Sequence, residues 1–204
     1  MTVPGVAAVI LAAGEGRRLG GVAKALLPYR GASYLAAITA TARAAGLVDA
    51  VVVVGAPFGD AIAAHARELG LRVQVNPAPA RGMASSVALG FAALDPGTAE
   101  AAWLWPVDHP AVTAATLGRL LAASGGAAPA GASERVEVVR PCYRARGGHP
   151  PLVARSLWPA LVGCAALADG ARGVLRGARS CVVEVDDPGV VRDADTPADR
   201  EALA

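Results

Sequence analysis

Lysine and asparagine are almost missing from this chain of 204 residues: Lys24 stands alone against 18 Arg, and Asn76 is the only asparagine. Lone survivors of such a bias are candidates for positions where a substitute fails. Cysteine is also scarce. Cys142, Cys164 and Cys181 are odd in number and contain no CxxC pair, which excludes a disulfide framework or a cysteine zinc site and suits reduced core thiols. No run of about 18 apolar residues escapes a charge or a helix breaker, so no membrane span is expected. Residues 1–13 carry no cationic stretch ahead of their apolar run, so no secretory signal is expected and the expected location is the cytoplasm. Basic runs are absent and the net charge is only +2, which argues against nucleic-acid or membrane-surface partners.

What is present is a chain long enough for one domain spanning 1–204 with a real core. The 54% hydrophobic fraction is inflated by 49 Ala. Apolar runs alternate with amphipathic stretches, the pattern of βαβ units. Strands are expected at 5–11, 50–54, 72–75, 102–106, 136–143 (near the sheet edge) and 180–185. Ser33 caps a helix ending near Gly46, Pro57 and Gly70 bracket a second, 85–94 forms a third, and Thr113 caps a fourth running through Ala123. Short helices follow at 154–161 and 170–176. The low-complexity stretch 122–133 reads as a loop, and Thr196, Pro197 and Asp199 open a final helix. The expected architecture is a three-layer α/β/α, Rossmann-like fold around a mostly parallel mixed sheet.

The first strand runs into Leu11-Ala-Ala-Gly-Glu-Gly-Arg-Arg-Leu-Gly-Gly-Val-Ala-Lys24. In open α/β sheets ligands bind at the carboxyl ends of the strands, and a glycine-rich turn there exposes backbone N–H groups to an anion. The glycines at 14, 16, 20 and 21 match neither GxGxxG nor GxxxxGK[ST], because Ala23 and Ala25 flank Lys24. Asp108 follows the 102–106 strand and can hold a divalent cation. Asp193 and Asp195 are candidates for a second carboxylate. Asp186 and Asp187 read as solvated turn residues, and His65 and His109 as structural.

LAAGxGxR(M/L)GGxxK resembles the signature loop of the MobA-like NTP transferases, which include molybdenum cofactor cytidylyltransferase and molybdopterin guanylyltransferase. NPAPARGMASSV (76–87), WPVDHPAV (105–112), GGHPPLV (147–153), DGARGVLR (169–176) and RDADTPAD (192–199) resemble further family segments in the family's order. The resemblance implies a Mg²⁺-dependent enzyme. The phosphate of an acceptor, best matched by a molybdopterin cofactor, attacks the α-phosphorus of an NTP and pyrophosphate leaves. It further implies Lys24, Arg18 and Asp108 as catalytic, with Asp108 and Asp193 or Asp195 on the metal. Leu11, Ala12, Ala13, Gly14, Gly16, Arg17, Asn76, Gly82 and Ser85 would line the nucleotide, and His149 and Arg172 would face the acceptor, with Arg144 and Arg146 as further anion contacts. Ala13 favours CTP, since the loop reads LAAG more often in CTP users and LAGG in GTP users. A molybdoenzyme or its maturation factor is the implied protein partner. His109 after the metal aspartate, Ala194 in the C-terminal motif and Val153 in GGHPPLV depart from the family pattern and bear on acceptor identity.

Such a reaction brings two anions together. At about 4 Å and an effective dielectric of about 20, two unit charges repel by about 4 kcal/mol, roughly a thousandfold in rate. Neutralisation is therefore the first task, and the compact ammonium of Lys24 can follow charge where a planar guanidinium does not fit. Alternatives are GTP with the same acceptor, a sugar or polyol phosphate as acceptor, a non-catalytic protein carrying nucleotide or cofactor, and a nicotinamide-binding oxidoreductase, which the glycine spacing disfavours.

Overall fold

Strand β1 (Val6–Leu11) is buried along its whole length, and both of its faces meet protein. It is the centre of the molecule. The structure, a computed structural model, describes residues 5–125 and 135–193. β1 pairs in parallel with β4 (Leu47–Val54) on one side and with β6 (Ala101–Pro106) on the other, and β5 (Arg72–Val75) continues the parallel run beyond β4. Beyond β6 the direction reverses: β9 (Leu152–Ala154) is antiparallel to both β6 and β7 (Val138–Tyr143). β10 (Ser180–Glu184) then pairs in parallel with β7 and forms the edge. A short strand, β8 (Arg146–Gly147), folds back on β7, and β2 (Pro28–Tyr29) with β3 (Ala32–Ser33) makes a separate hairpin.

Alternate residues of the central strands feed two cores, as period-two geometry requires. Ala8, Ile10 and Val52 pack with Trp103 and Trp105 under α1 (Tyr34–Ala44), α2 (Gly59–Glu68) and α4 (Ala114–Ser124). Val9, Val51 and Val53 pack on the other face under α3 (Met83–Ala93), α5 (Trp158–Val162) and α6 (Gly170–Gly177). The three-layer, mostly parallel mixed fold is therefore as expected. The expected caps form too: Ser33 Oγ accepts from Ala36 N–H at 3.0 Å and Thr113 Oγ1 accepts from Thr116 N–H at 3.3 Å.

Two expectations change. Residues 152–154 form a strand where none was expected, so Ala154 ends β9 rather than opening a helix, because β9 fills the gap between β6 and β7; three residues carry no readable period. β7 lies near the edge as expected, one strand in, between β9 and β10. Residues 122–124 complete α4 rather than opening a loop. The stretch 126–133 and the expected final helix from Thr196 lie outside the described residues. No helix among the described residues is long and apolar enough to cross a membrane.

α3 approaches the sheet at Gly90. A Cβ there would sit 2.3 Å from Val9 Cγ1 and 2.9 Å from Val53 Cγ2. Overpacking of this kind costs about 1–3 kcal/mol. Gly90→Ala is therefore expected to lower the unfolding free energy by that amount in urea titration, with the slope unchanged.

Candidate active site

β1 and β6 are hydrogen-bonded neighbours that end level, Leu11 opposite Pro106. Val107 N–H donates to Leu11 O at 3.1 Å and ties the two exits, while Ala12 N–H donates to Val53 O of β4 at 2.8 Å on the other side. The glycine loop leaving β1 and the turn leaving β6 consequently share one rim. There Lys24 Nζ lies 3.0 Å from Asp108 Oδ2, a pair 84 residues apart in the chain. Their side chains are only 14% and 23% exposed, so each charge is largely desolvated and compensated by the other.

The pair borders a cleft of about 480 Å³. Leu11, Ala12, Ala13 and Gly14 form one wall with Gly16 and Arg17; Pro79, Gly82, Met83 and Ser86 form the other, and Pro106–Asp108 close it. The loop holds its shape through Gly16, at φ 59°. Its carbonyl accepts from Leu19 N–H (2.9 Å) and Gly21 N–H (3.0 Å), and a Cβ would stand 2.3 Å from Val22 O. Only glycine fits there. Arg17, on the solvent side, donates to Glu15 at 2.5 Å and holds that carboxyl below its ordinary range.

Opposite the loop, α3 opens at Gly82 (φ 94°). Asn76, at the end of β5, is buried and braces this helix start: its Nδ2 donates to Ser85 Oγ and Ser86 Oγ, both 2.9 Å, and its Oδ1 accepts from Ala78 N–H at 2.9 Å.

Behind Asp108 lies a layer of polar side chains. The buried His109 ring stands 3.9 Å from Asp108 Oδ1, measured at Nε2, and His149 packs against it with ring centroids 5.0 Å apart. His149 Nδ1 is buried without a hydrogen-bond partner among the described residues. Burial pushes His149 down to about 4, His109 adding to the fall and Asp108 opposing it. A larger cavity of about 710 Å³ sits at the opposite end of the sheet, between Gly5, Val6 and Glu137. Four of its charged groups pair with each other, Arg155 with Glu100 and Arg179 with Glu137, and it lies far from the loop, so the smaller cleft is the candidate site.

The sequence profile of the MobA-like NTP transferase domain matches residues 8–185. The chain belongs to this family. Membership places it among nucleotidyltransferases. It is 34% identical over 197 residues to nicotine blue oxidoreductase of Paenarthrobacter nicotinovorans, covering 95% of this chain and 94% of that one. Among solved structures it is similar to Rv0371c of Mycobacterium tuberculosis H37Rv (28% identity, 99% and 98% coverage, TM-score 0.73). A second structure of Rv0371c is a complex with manganese (27% identity, 98% and 97% coverage, TM-score 0.67). A nucleotidyl transferase from Methanothermobacter, at 22% identity with 97% and 95% coverage and a TM-score of 0.75, shares the fold.

For this NTP transferase domain, the structure brings Leu11, Ala12, Ala13, Gly14, Gly16, Arg17, Lys24, Gly82 and Asp108 to one cleft. Asn76 and Ser85 sit one layer back: the amide expected to read base or ribose is spent on holding the serines, and Ser86 rather than Ser85 faces the cleft. His149 lies behind Asp108, packed against His109 and outside the cleft lining, where burial lowers its pKa to about 4. Arg172 is exposed on α6, outside the cleft lining, and Arg144 and Arg146 are exposed around the β7–β8 turn. Asp193 is exposed. Asp195 and the side chain of Arg18 lie outside the described residues. Asp187, expected to be solvated, is buried and accepts four hydrogen bonds. Met83 and Pro79 were not legible as cleft residues, whereas Ser86 belongs to the Ser85–Ser86 helix start against which a base or sugar is expected to lie.

His149 gives a pH prediction. The folded state keeps the imidazole neutral while the unfolded chain protonates near 6.5, so the fold is fully stable in this respect above about 6.5 and loses stability as pH falls toward 4. Urea unfolding at a series of pH values should show that fall, and His149→Gln should flatten it.

Proposed function

We propose that this cleft joins an NTP, best matched by CTP, to a phosphorylated acceptor of the molybdopterin type, with release of pyrophosphate, as a single domain acting in the cytoplasm. The observation that supports it is the Lys24–Asp108 pair, 3.0 Å apart at the rim beside the glycine loop. In this reading the cleft wall of Leu11–Gly14 and Gly82–Ser86 takes base and ribose, and the loop at Gly14–Arg17 takes the β- and γ-phosphates. Lys24 turns from Asp108 toward the α-phosphate and neutralises the charge that otherwise repels the incoming acceptor.

The donor chemistry fits a hard divalent ion. Mg²⁺ is commonly held by one or two carboxylates together with substrate phosphates, and Asp108 offers one carboxylate at the cleft. No cluster of three or more His, Cys, Asp or Glu suited to a metal occurs among the described residues, so the nucleotide would complete the shell. When bound, Mg²⁺ would offset charge on the phosphate oxygens. A molybdoenzyme or its maturation factor is the partner this product would serve.

Lys24→Arg and Asp108→Asn are each expected to lose at least a hundredfold in pyrophosphate release while the circular dichroism spectrum stays wild-type. Turnover within threefold of wild type in either variant would overturn the assignment. A thermal-shift panel of the four NTPs with Mg²⁺ reads the base: at about 100 times its Kd a ligand stabilises by about 2.7 kcal/mol. CTP is expected to give the largest shift. A larger GTP shift would move the chain to the guanylyl branch, and binding without pyrophosphate release from any acceptor would make it a carrier.

The relative named nicotine blue oxidoreductase, similar along nearly the whole chain, supports a second reading: hydride transfer from a reduced nicotinamide dinucleotide whose diphosphate lies on the same loop. Oxidation of the reduced nicotinamide by an aromatic acceptor, without pyrophosphate release, would select it.

A further inference from the structure

Asp187 is 5% exposed, and the transfer reading gives it no part in the chemistry. Its Oδ2 accepts from Thr113 N–H and Thr113 Oγ1, both 2.9 Å, and from Thr116 Oγ1 at 2.6 Å; its Oδ1 accepts from Gly189 N–H at 2.9 Å. These bonds lock the turn Pro188–Val190, and two of its carbonyls face the histidines behind Asp108. Val190 O accepts the backbone N–H of His149 at 2.7 Å, and Gly189 O accepts Nδ1–H of His109 at 3.4 Å. The turn cannot drift. A Cβ on Gly189 would stand 2.4 Å from Ala111 O, and one on Gly148 would stand 2.5 Å from Val190 O. Trp105 Nε1 holds the far side of His109 through its carbonyl, at 3.0 Å. The ring so placed presents Nε2 to Asp108 Oδ1 at 3.9 Å, while Oδ2 meets Lys24 at 3.0 Å.

We infer that Asp187 and His109 are positioning residues for Asp108, the carboxylate setting the turn, the turn setting the ring, and the ring edge stopping rotation of the Asp108 carboxylate. A terminal carboxylate torsion is broad, so without a wall Oδ1 swings out of the orientation that presents it to the cleft. Partners one layer behind a metal-binding group typically contribute 10–100-fold to metal affinity. The inference rests on Asp108 being the cation-holding residue of the transfer reading, and it goes beyond that reading by naming what aims the carboxylate.

The test is Mn²⁺ titrated into the nucleotide-free protein and followed by electron paramagnetic resonance, with ¹⁵N spectra of the imidazoles. Asp187→Asn and His109→Leu are expected to weaken Mn²⁺ binding at least tenfold. His109→Gln, which keeps a donor for Gly189 O, should recover part of the loss. The wild-type spectrum should show His109 protonated at Nδ1, with that signal displaced in Asp187→Asn. Ser33→Ala removes a helix cap that is part of neither the cleft lining nor the Asp187–His109 layer and controls for lost stability: its melting temperature should fall with Mn²⁺ affinity intact. If Asp187→Asn does not fold, Thr116→Val removes one of the four bonds and should shift affinity in the same direction by less. Folded Asp187→Asn and His109→Leu proteins that bind Mn²⁺ within twofold of wild type would overturn the inference. A wild-type protein that takes up no Mn²⁺ overturns it together with the metal role of Asp108. Missing pyrophosphate release alone overturns the transfer reading and leaves the Mn²⁺ comparison to decide this one.

Discussion

Two opposite charges held 3.0 Å apart at the end of a parallel sheet organise this molecule. Lys24 and Asp108 come from loops that share no local sequence, and they meet because β1 and β6 run side by side and stop level. A largely buried ammonium needs a counter-charge, and so does a largely buried carboxylate. Each satisfies the other here, and in the proposed transfer an anionic ligand and its cation would take one partner apiece. The glycine loop, the cleft and the histidine layer behind Asp108 adjoin that pair.

The rigidity this needs comes from backbone geometry more than from contact strength. Gly16 allows the loop to close on its own carbonyl, Gly90 lets α3 lie against β1, and Gly189 and Gly148 let a turn wedge behind the site. Each is a place where one added methyl meets backbone or a packed valine. Polar groups then fix the remaining freedom: Asn76 ties β5 to the start of α3, and Asp187 ties the Pro188–Val190 turn to the cap of α4. The second arrangement doubles the use of Thr113, which caps its helix and also donates to Asp187.

Family membership and the nicotine blue oxidoreductase relative bear on one cleft in different ways. In the two proposed readings, a nucleoside triphosphate or the diphosphate of a dinucleotide would lay adjacent phosphates on the same glycine loop. Base preference and chemistry depend on what else enters the cleft beside Met83 and Ser86.

Much of this was legible in the chain alone. The order of strands and helices, the caps at Ser33 and Thr113, and the loop from Leu11 to Lys24 follow from local periodicity, side-chain capping and glycine, all of which act over a few residues. The scarcity of lysine and asparagine pointed to Lys24 and Asn76, but composition could not say that one faces the cleft and the other braces it from behind. β9 escaped because a three-residue strand is defined by its neighbours. Asp187 escaped because a carboxylate in a turn looks the same whether water or Thr113 and Thr116 solvate it. Local pattern determined the elements and the candidate chemistry; only the tertiary structure decided which polar groups meet, because burial and hydrogen bonding between distant segments depend on strand adjacency and not on sequence distance.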